Sequence, residues 1–422
     1  MIEGPIQTNN NGLVFYFDTK EPKSYVGEPT TNRNQQISNY TGTNYADGSH
    51  GGEWTSNPTR FTKTYNGSII TPIGFGATLC SESGTAGFHH LSSMGGGEES
   101  GAHSISCYVK PLNSITDFTI GMLGDGSNQV SFNLSTKAIT YGGGISNRNA
   151  FCVEVSGFPG WLYVGANIEG RAGGWVGCVG ISTHSSYTPT TPYKTFYITG
   201  LQYEYKVAPT KFTVGTRSNT QGLLDLTGNS TLNLSTMTTY TNTSGLNWSG
   251  NNYITTANNC NLTSDQTLTA WIKPTKSGAN TGPHNTVICT DPGYQYGIKL
   301  MNYKNNSRYG LWLGFGSSNY EALYAGNIND GVNKMFTGTW TQSTGVVKIY
   351  INAQLVSTIN TGVTSAISLN TGQIYVGTGY ELAWGNGNMF EGDIYAAAIY
   401  NRALSDTEIL KNFNSQRSRY SV

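Results

Sequence analysis

The spacing of its interruptions constrains this chain more than any other feature. Runs of aromatic and β-branched residues last only a few positions before clusters of Gly, Asn and Ser break them, at intervals of about 8–12 residues. Helices need longer unbroken stretches of one period, so the pattern predicts an all-β chain built of sandwiches or barrels. The clearest hairpin joins 346–351 to 354–359 through Asn352-Ala353, with Val347, Ile349 and Ile351 on one face. A two-residue turn wants φ > 0 at both central positions. Asn352 suits this and Ala353 does not, which implies either strain or a longer loop. The one convincing helix lies near the end, where Ser405-Asp406-Thr407-Glu408 forms a capping box ahead of Ile409, Leu410 and Phe413. Arg417 and Arg419 follow and are assigned to solvent or to a neighbouring molecule.

Composition narrows the function. At 422 residues the chain exceeds the roughly 250–300 at which single cores stop growing, so two or three domains are expected. Lys+Arg and Asp+Glu balance at 24 each, which leaves no basic field to recruit nucleic acid or anionic lipid. Charged residues are 11% of the chain and aromatics 12%. That much ring surface supports sizeable cores and argues against disorder. The first residues lack the basic and apolar regions of a secretory signal, and no apolar run is long enough for membrane insertion. Cys80, Cys107, Cys152, Cys178, Cys260 and Cys289 are dispersed without a C-x-x-C pair, which predicts buried thiols and leaves open pairing in an oxidising medium. An uncharged, Tyr/Thr/Asn/Gly-rich composition without an export signal fits a virion component, assembled in the host cytoplasm and carried at the virion surface after lysis.

Two alternating segments echo each other, 104–111 and 267–274, each stopped by Pro, and they suggest two related sandwiches. The stretch from Leu223 to Phe413 resembles the laminin-G-like, concanavalin-A-type jelly rolls of phage virion proteins. The resemblance rests on Leu224-Asp225-Leu226-Thr227-Gly228-Asn229, on Leu268-Thr269-Ala270-Trp271-Ile272-Lys273-Pro274, on the hairpin at Lys348-Ile349-Tyr350-Ile351-Asn352, and on the closing segments from Phe390 to Ile394 and from Ile399 to Ser405. It implies a fold of two antiparallel jelly-roll β-sandwiches with one short C-terminal helix. In that family the Asp225 motif follows soon after a strand like Leu13-Val14-Phe15-Tyr16-Phe17. Here roughly 200 residues separate them, far more than the 12–15 or so of a long loop. The economical reading is an insertion, with 1–32 plus 218–422 forming the laminin-G-like domain and 33–217 a second sandwich set into it. The end of the insert, from Phe196 to Glu204 and from Pro209 to Phe212, resembles carbohydrate-binding-module-like sandwiches. The alternative is that 1–32 is an arm or belongs to the first domain.

Glycosidases of this fold need acids alternating along one strand, E-x-D-x-x-E, to set two carboxylates about 5–5.5 Å apart. The nearest approach, Glu391-Gly392-Asp393, lacks the last acid, Glu98 and Glu99 are adjacent, and Glu204 stands alone. The reading is therefore non-enzymatic, with no catalytic residues. His89, His90 and His103 with Glu98 and Glu99 lack metal-ligand spacing and are read mainly as loop or packing residues. No cofactor is expected, though the resemblance leaves calcium possible at Asp225, Asp291 and Asp393, whose oxygens suit that ion.

Aromatic residues among Gly and Asn are the stronger signal: Tyr294, Tyr296, Tyr320, Tyr324, Tyr380 and Trp384. Such rings either stack on a sugar face or anchor a protein interface. The resulting expectation is a virion surface protein, as capsid decoration, head fibre or tail/baseplate appendage, adhering to a host-surface glycan. Its partners would be other virion proteins and further copies of itself. A polysaccharide-degrading enzyme and a purely structural cement protein are the alternatives.

Overall fold

A computed structural model describes residues 10–21, 23–31, 61–92, 101–113, 117–122, 125–142, 149–170, 177–213, 216–237, 240–241, 245–249, 252–275, 284–303, 308–326, 328–379 and 389–422. Among the described residues the strands pair antiparallel and the one α-helix is C-terminal, as the interrupted β pattern predicts. Contacts divide the chain into two units, 1–29 with 218–422 and 30–217. The sequence reading places the first of those breaks at 32/33.

In the first unit, one sheet runs in the order Tyr240–Thr241, Gly245–Ser249, Glu391–Tyr400, Gln266–Pro274, Lys334–Thr341, Val346–Ile351, Gln354–Asn360. Leu13–Asp18 also pairs with Glu391–Tyr400, from Leu13 opposite Tyr400 to Asp18 opposite Ala396. The second sheet runs Leu232–Asn233, Ile254–Asn259, Gln373–Val376, His284–Cys289, Ile298–Tyr303, Arg308–Gly314, Asn319–Ala325. Alternation sends Phe15 and Phe17, with Leu268, Ile272, Leu300, Leu311 and Ile349, into one core between the sheets. The opposite parity of the first sheet, Tyr16, Trp271, Tyr350 and Tyr400, builds another cluster under the helix residues Ile409 and Phe413.

The Asp225 motif is explained by its contacts with the first strand. The Asp225 carboxylate accepts from the Tyr16 N–H at 3.0 Å, Leu226 N–H donates to the Tyr16 carbonyl at 2.7 Å, and Thr227 Oγ1 donates to the Val14 carbonyl at 3.2 Å. The chain leaves and re-enters this unit side by side, because the N–H groups of Val26 and Gly27 both donate to the Gly222 carbonyl.

The hairpin at Asn352-Ala353 is a two-residue turn with both residues at positive φ, 53° and 64°. Of the two options that the sequence left, strain is the one realised. Asn352 Oδ1 accepts from the Met335 N–H at 2.9 Å and the Ala353 methyl packs on the helix-side cluster, which fixes the turn. At the helix, Ser405 Oγ accepts from Glu408 N–H at 3.3 Å and Glu408 Oε2 accepts from Ser405 N–H at 2.9 Å. Ser405→Ala is expected to lower stability by about 1 kcal/mol, the usual loss of a cap, read by thermal unfolding; an unchanged midpoint would refute the cap. Arg419, assigned above to solvent or a neighbour, instead pairs internally with the buried Asp18 at 3.1 Å. Burial raises the Asp18 carboxyl, opposed by that guanidinium.

The second unit is likewise a two-sheet sandwich. One sheet runs Phe151–Glu154, Leu162–Gly170, Gly101–Asn113, Thr195–Glu204, Ala77–Glu82, Phe61–Asn66, and the other Gly87–Ser92, Gly177–Tyr187, Asp117–Met122, Asp125–Asn133, Ile139–Tyr141. Edge-to-face contacts of Phe196 with Phe61 and Phe118 mark its core. Pro111 does not stop its strand, which continues to Asn113; it sits where the register with Thr195–Glu204 shifts, a place where a missing donor is tolerated. Glu204 closes the neck of this unit: its carboxylate accepts from Thr30 Oγ1 at 2.5 Å, Thr210 Oγ1 at 2.6 Å and Thr210 N–H at 2.9 Å. Cys80, Cys107, Cys152 and Cys289 are buried free thiols and Cys260 is a half-buried one.

Candidate functional site

The site begins with the connection 290–297 between two strands of the seven-stranded sheet. Asp291 Oδ1 accepts from the Gly293 N–H at 2.9 Å, turning the chain immediately after the strand. Gly297 has φ +65°, and a Cβ there would lie 2.6 Å from Asp291 N, so only glycine lets the loop return. Lys299, 1% exposed, then fastens the loop from beneath. Its ammonium donates to the carbonyls of Asp291 at 3.2 Å, Gly293 at 2.8 Å and Tyr296 at 2.6 Å. A buried ammonium needs such partners.

On this scaffold Tyr294 is 43% exposed. Its ring lies 5.2 Å from that of Trp312, tilted by 54°, and Trp312 Nε1–H donates to the Tyr294 carbonyl at 3.0 Å. Trp312 is flanked in its strand by the core residues Leu311 and Leu313, so alternation puts it on the outer face of the sheet. Gln295 Nε2 donates to the Ser317 carbonyl at 3.1 Å and the Gln295 carbonyl accepts from Gly316 N–H at 2.7 Å. The result is an exposed phenol ring on a stiff base beside the Gln295 amide, a surface that can stack on a C–H face and bond hydroxyls.

The other sequence candidates distribute differently. Tyr296 shares the loop and is half-buried. Tyr320 packs on the core between the sheets, whereas Tyr324 is 38% exposed and meets Tyr309 edge-to-face at 5.6 Å. They do not join Tyr294. Tyr380 and Trp384 lie outside the described residues.

The three acids named as possible calcium ligands are held by partners within the protein. Asp291 Oδ2 accepts from the N–H groups of Asn370, Thr371 and Gly372 at 2.8, 2.6 and 2.8 Å. Asp225 accepts from the N–H groups of Tyr16, Thr227 and Ser230. Donor protons occupy the lone pairs that a cation would need, so both carboxylates tie loops together. Asp393 Oδ2 accepts from Tyr395 O–H at 3.2 Å. Among the described residues no three His, Cys, Asp or Glu side chains gather as a metal group. His89 faces Glu82, which lies on the other sheet of the second unit, at 3.3 Å, and His103 packs on Tyr203 and Tyr205, while Glu98 and Glu99 lie outside the described residues.

Sequence reasoning missed Trp312 and Lys299, which sit on strands rather than loops. The available signal was parity: a Trp or Lys between two inward Leu or Ile residues must face outward.

Comparison with curated proteins finds no match. Among solved structures, the ligand-binding domain of botulinum neurotoxin serotype D in complex with N-acetylneuraminic acid is similar at 16% identity and a TM-score of 0.37, covering 47% of this chain and 50% of that one. The serotype G binding domain is similar at 18% identity and a TM-score of 0.38, covering 47% and 49%. The chain thus spans about half the length of these structures. Residues 249–410 match the laminin-G-type family model described as the concanavalin A-like lectin/glucanases superfamily, so the two-sheet unit that holds Tyr294 and Trp312 carries a concanavalin A-like jelly-roll domain.

Proposed function

We propose that this chain is a non-enzymatic glycan-binding protein whose sugar platform is Tyr294 on Trp312. The observation that carries the reading is an exposed aromatic ring held in place from below: Trp312 Nε1–H and the Lys299 ammonium both bond the loop's carbonyls. A ring that is already ordered loses little entropy on stacking, which favours binding. Asp291, which anchors the loop, is engaged by N–H donors on both of its carboxylate oxygens, and the reading is adhesion rather than hydrolysis. No cofactor enters this proposal. The wider setting we propose, from the uncharged composition, is the surface of a virion, where copies of the chain and other virion proteins are its partners and host glycan its target.

The test is a glycan array probed with wild type and Tyr294→Ala at matched thermal stability. Wild type is expected to bind a subset of glycans, and the variant to lose about tenfold in affinity, the scale of one aromatic contact. An array with no bound glycan, or equal binding by both proteins, would overturn the reading.

A further inference from the structure

The outer face of the seven-stranded sheet carries a second aromatic pair. Tyr253, just before Ile254–Asn259, and Tyr375, within Gln373–Val376, stack with ring centroids 6.0 Å apart and planes 28° apart, and both are half-buried. Tyr375 lies between Ile374 and Val376, which point into the core, so it emerges on the face that carries Trp312. The strand register fixes the relation. Tyr375 is opposite Cys289, Cys289 opposite Lys299, and Lys299 opposite Trp312. The two aromatic pairs therefore end one row, separated by three strand spacings, or about 14 Å.

Between them Cys289 and Lys299 are buried, and Trp312 is only 3% exposed, so the open ring at that end is that of Tyr294 lying against it. The ends are also held at a fixed spacing. Asp291, in the loop that bears Tyr294, binds three consecutive N–H groups at 370–372, the segment that leads into Tyr375's strand. Burial pushes the Tyr375 phenol up, with Cys289, Tyr253 and Asp291 adding to the rise.

We propose that Tyr253 and Tyr375 form a second sugar subsite, so that this face takes an extended polysaccharide lying across the strands rather than a single terminal sugar. The inference rests on the glycan-binding reading above and narrows its ligand class. A terminal sugar covers one ring pair. Only a chain of several sugars reaches both, and it gains from both because their spacing is set before it binds.

The experiment titrates the full chain with matched di- and hexasaccharides of cellulose, laminarin, maltodextrin, chitin and mannan, following intrinsic fluorescence. The proteins are wild type, Tyr294→Ala, Tyr375→Ala and Tyr253→Ala, each checked for an unchanged unfolding midpoint. Wild type is expected to bind a hexasaccharide about tenfold or more tighter than its disaccharide, with that gain lost in both Tyr375→Ala and Tyr253→Ala. Equal affinity for the two lengths, or a length gain that survives both substitutions while Tyr294→Ala still weakens binding, would overturn the second subsite and leave the platform standing. No binding at any length, with an array equally blank, would overturn the glycan reading and this inference together.

Discussion

A chain in which Pro29 is joined to Ser218 by a short Gly/Ser linker is expected to unfold as a β protein in one cooperative transition, while residues 218–422 alone are expected to remain molten. The strand Leu13–Asp18 explains the difference. It lies along Glu391–Tyr400, with Phe15 and Phe17 wholly buried between the sheets and Tyr16 on the helix side. Each buried Phe is worth about 3–5 kcal/mol, and the loss also orphans the Asp225 and Leu226 bonds to Tyr16. The sum matches the whole stability of an ordinary domain, about 5–15 kcal/mol. Closing the shortened chain costs little, because Val26 and Gly27 already share the Gly222 carbonyl. Near- and far-UV circular dichroism through a thermal melt reads the result. A molten linked chain beside a cooperatively folded 218–422 would contradict the role given to this strand.

Asp291→Ala has the second largest expected effect. The substitution leaves the N–H groups of Gly293, Asn370, Thr371 and Gly372 without their acceptor. Each orphaned donor costs about 1–3 kcal/mol when buried. Water reaches the part-buried ones, so about 3–5 kcal/mol is expected in chemical denaturation. Asp291→Asn is expected to recover only part of this, because one amide oxygen replaces two and its NH₂ faces further donors. The same samples test the cation reading: added calcium is expected to leave the wild-type midpoint unchanged, and a calcium-dependent rise abolished in Asp291→Ala would support a cation there instead.

The all-β class, the hairpin and the capped helix were legible in the sequence because each rests on local rules. Val347, Ile349 and Ile351 alternate, and Ser405 sits three residues before Glu408. The candidate site was legible in part. Tyr294 stands out as a ring among Gly, Pro and Gln, but Tyr320 stands among Asn and Ser in the same way and turns inward. Loop composition does not reveal parity; the register of the neighbouring strand does. Tyr253 and Tyr375 are 122 positions apart and meet only through strand pairing. Asp225 and Asp291 stand amid turn residues, where an acid serves a cation or N–H groups equally well, and the N–H donors around them come from segments that the sequence does not place together.

The pairing of Leu13–Asp18 with Glu391–Tyr400 also sets the order in which a ribosome can complete this protein. The first strand emerges with Phe15 and Phe17 uncovered, and its partner follows roughly 370 residues later, which at about 5–20 residues per second is on the order of 20–75 s. The second unit is whole well before that, since its last paired residue is Arg217. Each nascent chain therefore carries a finished sandwich together with an unclosed one, and Phe15 and Phe17 stay without their partner strand until nearly the whole chain has been made.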